Sequence, residues 1–326
     1  MADMHTMPPS PIRDQNIGLA LAALGAALFA TKGIFVKLAY AQDLDALTVL
    51  AWRMILAVPF FLAFGLLAYR DRRRGKGRHA NEKVPFRSVL GAMLIGIMGY
   101  YGASLLDFLS LDLITAQLNR LVLLTYPFIV LVLGAVLFRR RLTAPVIGAA
   151  LLAYLGIAII FGHDMVIEGD TVLAGTALAL ASALAYALYQ LFAKPLIDVL
   201  GPRLFTAIAM TAAGVIVLVH FFWTHPFSAL AIAPDTFWIL LALALAATVA
   251  PVLLIAAAIG SIGAERTAVF GNISPILTII LAIIVLGEPF TAIHGAGTAL
   301  VICGILLFTR LTTQPAIASR EEGPIS

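Results

Sequence analysis

Lys32, Arg53 and Arg120 are basic residues set in stretches that are otherwise almost wholly apolar, and Tyr100, Tyr101, Asn119, Tyr186, Tyr189, Gln190 and Asn272 bring hydroxyls and amides into similar surroundings. Ionisable and hydrogen-bonding groups are costly at membrane depth and are rarely idle there. The chemistry such groups support is recognition of a polar solute. A lysine can draw in a carboxylate as a point charge; alternatively Lys32 snorkels to the nearer surface. Tyrosine hydroxyls at mid-depth need partners or water, so they either line a cavity or bond from helix to helix. Tyr186 and Tyr189 are three apart and share one helix face. Gln117, Asn119 and Arg120 open one apolar run and Arg53 lies near the end of another; they are read as a gate or as carboxylate contacts, against the alternative of solvated helix starts. Asn272 and Ser274, beside Pro275, are placed along the other half of the path.

Bond-making chemistry finds no support. There is no Gly-x-Ser-x-Gly, no His-Glu-x-x-His and no Asp-Asp-x-x-Asp, and Asp107 and Asp112 are spaced too widely to share a helix face well. An intramembrane enzyme is therefore a remote alternative. The single cysteine, Cys303, excludes an internal disulfide and disfavours a thiolate metal site. No catalytic residue, cofactor or metal is expected.

The elements that must position these residues follow from composition. The 326-residue chain is 62% hydrophobic and 12% charged, with mean hydropathy +1.03. Soluble domains are about 45–50% apolar and about 25% charged, so the bilayer is the natural solvent. Ten apolar runs can be marked: Ile17–Ala39, Leu47–Tyr69, Ser88–Ser110, Ala116–Phe138, Thr143–Phe161, Val172–Pro195, Leu204–Phe222, Phe237–Ile259, Ala264–Leu286 and Ala292–Thr309. Each is long enough to cross roughly 30 Å of hydrocarbon as a helix. The net charge of +4 and pI near 9.3 come from clusters beside apolar runs, notably Arg70–Arg78 and Arg139–Arg141. These read as solvated orientation signals, not as a nucleic-acid surface. They place both termini in the cytoplasm, and the absence of a signal peptide agrees with a multi-pass protein of a bacterial inner membrane.

The chain reads as one unit written twice. At an offset of 148, Ala116 meets Ala264, Pro127 meets Pro275, Thr143 meets Thr291 and Gly156 meets Gly304; at an offset of 157, Gly18–Lys37 meets Gly175–Lys194. The expected fold is all-α, with ten transmembrane helices as two inverted five-helix repeats. Residues 17–161 and 172–309 form the repeats, between tails 1–16 and 310–326. An odd number of spans per repeat inverts the second copy, the usual build of secondary transporters. Pro127 and Pro275 are expected as matched hinges, with Arg53, Gln117 and Arg120 as gate residues. Gly91, Gly96, Gly99 and Gly102 read better as packing positions than as a hinge.

The ten spans, the two halves, and the segment from Ala264 through Pro275 to Leu286-Gly287-Glu288-Pro289 resemble the EamA-type part of the drug/metabolite transporter superfamily. The first half departs from that pattern, with Phe138-Arg139-Arg140-Arg141 where the second has its Gly-Glu corner. The resemblance implies a carrier of amino acids, other metabolites, nucleotide sugars or sugar phosphates. The chain looks most like bacterial amino-acid exporters, including the YddG-like aromatic exporters. On this reading it exports small metabolites, amino acids foremost, by alternating access. The runner-up is a nucleotide-sugar or other anionic-metabolite transporter, which wants several buried bases close together. A channel would want repeated charge rings or a filter. With Asp107, Asp112, Glu265 and Glu288 all placed near span ends, the expectation is uniport or exchange. Partners are the solute and membrane lipid, not nucleic acid. Gly148, Gly156, Gly297 and Gly304 mark either a homodimer face or an internal contact.

Overall fold

A computed structural model describes residues 12–75, 82–138, 142–263, 267, 270 and 274–313. These residues are helical throughout, with short connections and no strand among them. The helices are α1 (Ile12–Ala30), α2 (Lys32–Tyr40), α3 (Ala46–Arg73), α4 (Phe86–Gly96), α5 (Ala103–Leu113), α6 (Ala116–Leu123), α7 (Tyr126–Phe138), α8 (Ala144–Glu168), α9 (Asp170–Leu200), α10 (Pro202–Thr224), α11 (Pro234–Ala244), α12 (Ala250–Ile262), α13 (Ser274–Leu286) and α14 (Ala292–Thr313). Among the described residues nine helical segments are long and apolar enough to cross a membrane, and α13 is a shorter apolar helix. The first part of the expected ninth run, from Ala264, falls largely outside the described residues.

Four spans are interrupted, each for a local reason. Between α1 and α2, Thr31 turns back: its N–H and its hydroxyl both donate to the Leu28 carbonyl, at 3.1 and 2.6 Å. A threonine bonded to its own preceding turn competes with the helix ladder and bends it. Between α6 and α7, Pro127 has no N–H for the preceding turn, and Thr125 closes a tight turn on the Val122 carbonyl, 3.0 Å from its N–H and 2.7 Å from its hydroxyl. A π-helical turn, Ile97–Gly102, joins α4 to α5, and another, Leu245–Val249, joins α11 to α12. Ile97 and Leu245, which open the two π turns, are 148 positions apart.

Small residues set the packing. Gly18 and Gly25 of α1 face Ile262 and Ile255 of α12, in antiparallel order. Along α9, Gly175, Ser182 and Tyr189 meet Ile114, Ala103 and Gly99 in turn, again antiparallel. Gly156 and Gly304 are needed as glycines: a Cβ at either would collide with the backbone of the facing helix, at Gly297 and Ala149 respectively. In lipid the apolar effect between helices is weak, so such close approach is what holds them. Gly156, Gly297 and Gly304 are thus taken up within one chain, at the α8–α14 contact. Gly91, Gly96 and Gly99 likewise sit against Leu196, Ala209 and Tyr189.

The helix ends are finished by specific side chains. Asp45 caps α3, its Oδ1 accepting from the N–H groups of Leu47 (2.9 Å) and Thr48 (3.1 Å). Burial works against the ionised form of Asp45, but the Thr48 hydrogen bonds and the nearby His225 outweigh it and hold the carboxyl below its ordinary range. α9 ends at Gly201, with φ at +79°. The last carbonyls of α9, on Val199 and Leu200, accept from Arg72 Nη1 at 3.3 and 3.2 Å. Arg72 also donates to the carbonyls of Glu82 and Lys83, and is buried. Arg72 therefore departs from the sequence expectation that the whole basic loop is solvated: it ties the loop to the end of α9. Arg139–Arg141 and Arg78 lie outside the described residues.

Candidate functional site

The break in the first span and the start of α6 bring three cations around one carboxylate. Lys32, the first residue of α2, donates to Asp107 Oδ2 at 2.6 Å. Asp107 comes from α5 and is 2% exposed. Its Oδ1 accepts from Asn119 Nδ2 at 3.1 Å, and the same amide donates to Ser110 Oγ at 3.1 Å. Arg53, from α3, donates from Nε to Thr248 Oγ1 at 3.0 Å and from Nη1 to Ser104 Oγ at 3.4 Å, and stands 5.6 Å from the Phe108 ring centre. Thr248 can serve because it lies in the second π turn, its own hydroxyl donating to the Leu243 carbonyl five residues back at 2.9 Å. Arg120 donates from Nη2 to Ser274 Oγ at 2.6 Å. Lys32 and Arg120 both approach the face of Phe29, at 5.8 and 5.4 Å, within cation–π range. Lys32, Arg53 and Arg120 carry three positive charges in ordinary ionisation against the single negative charge of Asp107.

Lys32, Asn119, Arg120 and Phe29 line one narrow cavity with Ala30, Gly33, Ala116, Leu123 and Thr278. It has room for about one water molecule, so entry of a metabolite requires the walls to part. Arg120 Nε is buried on this wall and has no hydrogen-bond partner among the described residues. Thr278 of α13 reaches the Ala30 carbonyl at the break in the first span, at 3.0 Å.

An aromatic group adjoins the cations. Tyr126 and Tyr186 lie within electrostatic range of Arg120. The Tyr186 ring stacks on Tyr189 (centroids 5.6 Å) and meets Tyr126 edge to face (5.1 Å). The Tyr100 and Tyr189 hydroxyls are 2.9 Å apart, and Gln190 Nε2 donates to the Tyr186 hydroxyl at 3.1 Å. Tyr101 points elsewhere, its hydroxyl 2.9 Å from His220 Nδ1 of α10.

Of the residues singled out from sequence, Lys32 and Asn119 bond to Asp107 and Arg53 and Arg120 lie within its electrostatic range, while Tyr100, Tyr186, Tyr189 and Gln190 form the aromatic group. Tyr101 joins neither. Gln117 lies at a clasp between the halves of the chain: Glu288 accepts from the N–H groups of Ala116 (2.6 Å) and Gln117 (3.2 Å), and Gln117 Nε2 donates to the Pro289 carbonyl at 3.3 Å. The carboxylate thus caps α6 from 172 positions away. Pro127 sits at the break between α6 and α7, but Pro275 is the second residue of α13 and the residues just before Ser274, Asn272 among them, lie outside the described part. Asp107 was read from sequence as a residue near a span end; the structure buries it at the centre of the cation group. Tyr126 and Thr248 were not singled out at all, and only the π turn and the break at Thr125 reveal them.

A bundle of apolar helices with interrupted spans defines a multi-pass membrane protein. The chain belongs to the EamA-like transporter family, whose model matches residues 16–162 and again 173–310. It is similar to the uncharacterized transporter YcbK of Bacillus subtilis (strain 168), 28% identical over 272 residues, 81% of this chain and 84% of that one. A crystal structure of a protein 18% identical in sequence superposes with a TM-score of 0.60, over 94% of this chain and 100% of the other, a likeness of fold.

Proposed function

We propose that this membrane transporter carries small carboxylate-bearing metabolites, amino acids foremost, and exports them across a bacterial inner membrane by alternating access. The observation that carries the substrate class is Arg120: a half-buried guanidinium on the cavity wall, its buried Nε without a partner among the described residues, beside Lys32 and the ring of Phe29. A buried donor without an acceptor is costly, and a carboxylate is the acceptor a guanidinium fork matches best. The surrounding rings of Phe29, Tyr126 and Tyr186 suit an apolar or aromatic side chain on the same solute.

Alternating access is supported by the pairing of elements. α1 packs antiparallel on α12 and α9 packs antiparallel on α4 and α5, an arrangement that exchanges with itself if the two family matches are swapped. The two π turns at the 148-residue offset are further support. Such inverted halves place a site at mid-membrane between them. Buried Asp107 is engaged by Lys32 and Asn119, and this occupied carboxylate supports the reading of uniport or exchange. The basic residues at the ends of α3 and α14 favour cytoplasmic termini.

One observation favours a second reading. Three cations near one carboxylate, Arg53 buried and Lys32 and Arg120 half-buried, are the arrangement an anionic metabolite such as a phosphate ester would need. Flux in proteoliposomes separates the two: saturable movement of labelled amino acids, competed by other amino acids, is expected. Flux inhibited only by phosphate esters would replace the substrate class, and no flux for either would overturn the reading.

A further inference from the structure

The strongest cluster of coordinating side chains outside the cation-rich site lies where the end of α8 meets the start of α14. Asp164 Oδ1 is 3.0 Å from His294 Nε2 and 3.1 Å from His163 Nδ1. The two imidazoles meet edge to face with centres 5.0 Å apart. One donor atom from each of the three residues falls within 4.8 Å of the others. Asp164 and His294 are buried, and Asp164 Oδ2 has no hydrogen-bond partner among the described residues.

We propose that His163, Asp164 and His294 bind a divalent transition-metal ion of the zinc class and so join α8 to α14. Two imidazole nitrogens and one carboxylate oxygen suit zinc, nickel or copper over magnesium or calcium. Three protein ligands with a fourth position for water are a common zinc arrangement. The unpartnered Asp164 Oδ2 supplies an acceptor that nothing else among the described residues uses. His294 is already oriented: its Nδ1 lies 2.9 Å from Thr291 Oγ1 and 3.2 Å from the Thr291 N–H. With that N–H aimed at Nδ1, Nε2 carries the proton and donates to Asp164. A cation bound at Nε2 shifts this proton to Nδ1, which gives up its bond from the Thr291 N–H and donates to the Thr291 hydroxyl instead, the outer-shell support usual for a ligating histidine. The close glycine contacts of Gly156 and Gly304 hold the two helices in register, so the ligands meet without rearrangement of the backbone. His163, with its side chain 18% exposed, gives the ion a way in.

The test is zinc titration of tag-free, detergent-solubilised full-length protein carrying Cys303→Ser, which removes the one thiol, against a chromophoric chelator. Expected are one equivalent bound at micromolar zinc or tighter, a rise in Tm reversed by EDTA, and a visible spectrum of a four-coordinate nitrogen and oxygen site with cobalt. His163→Ala and Asp164→Asn should each weaken binding at least 10-fold. His163→Ala removes the most exposed ligand, so it keeps the test informative if an Asp164 or His294 variant fails to fold. Absence of binding at 100-fold higher zinc, or one equivalent bound undiminished in His163→Ala, overturns the proposal.

Discussion

At the scale of single residues, the site is a contest between desolvation and pairing. Lys32 and Asp107 neutralise one another at 2.6 Å, which leaves Arg53 and Arg120 as excess charge. Arg53 is engaged by two hydroxyls and a ring, but Arg120 keeps an unpartnered Nε, so Arg120 is the residue whose loss should cost most in substrate affinity. Hydrogen bonds to charged groups are worth about 1.5–3 kcal/mol, which sets the expectation for Arg120→Ala at roughly a 10- to 100-fold rise in KM for a carboxylate substrate. Arg120→Lys should recover only part, because an ammonium lacks the planar fork. Asp107→Asn should impair transport by leaving Lys32 buried without its counter-charge, and should do so to the same extent with and without a pH gradient. A loss confined to pH-driven transport would instead make Asp107 the coupling group. Lys32, Asn119, Tyr100, Tyr186 and Tyr189 could be picked out in the sequence because polar residues stand out in apolar runs, whereas Tyr126 was missed and Tyr101 turns to His220. The place of Asp107 was not legible, because distance along a span says nothing about what covers its end.

At the scale of elements, caps and breaks decide where the charged residues stand. Glu288 holds the start of α6, and with it Asn119 and Arg120, from the far half of the chain. Glu288→Ala should lower stability by about 1 kcal/mol, the usual range for a lost helix cap, and Glu288→Gln by less; thermal unfolding in detergent reads both. Asp45→Ala should cost a similar amount at neutral pH, whereas Asp45→Asn, a good cap itself, should cost little. The Asp45 carboxyl is held below its ordinary value, so its contribution is present above the unfolded pKa of about 3.9 and is lost as pH falls through the lower folded value. The stability gap between the parent and Asp45→Ala should therefore close on acidification below about pH 4. The segment around Leu286-Gly287-Glu288 was recognisable as a corner. What it caps was not, since its partner is fixed only by the tertiary fold. The same holds for Arg72, which looked like one of a row of loop arginines and turned out to hold the end of α9.

At the scale of the whole molecule, the repeat offset found in sequence, 148, is also the spacing of the two π turns. Internal likeness was therefore readable without a structure, because backbone irregularities leave proline, glycine and small residues at matched positions. The helix partners were less readable: glycine at Gly156, Gly297 and Gly304 fits a second copy of the chain as well as an internal contact, and only the fold assigns them to α8 and α14. Gly156→Val should push these helices apart, lowering Tm by several degrees and, if the zinc-class site is present, weakening it in parallel. His163, Asp164 and His294 could not have been linked from sequence, since Asp164 and His294 are 130 positions apart.

The central claim is that a carboxylate is read by the Arg120 guanidinium, whose Nε has no partner among the described residues, beside Lys32. Its most direct test is equilibrium binding, by calorimetry, of an amino acid and of its amide, which keeps the side chain and lacks the carboxylate, to the parent protein and to Arg120→Ala. The expected result is a preference of about 10- to 100-fold for the amino acid in the parent that shrinks to near unity in Arg120→Ala. Equal affinity for acid and amide in the parent, or a preference unchanged by Arg120→Ala, would contradict it.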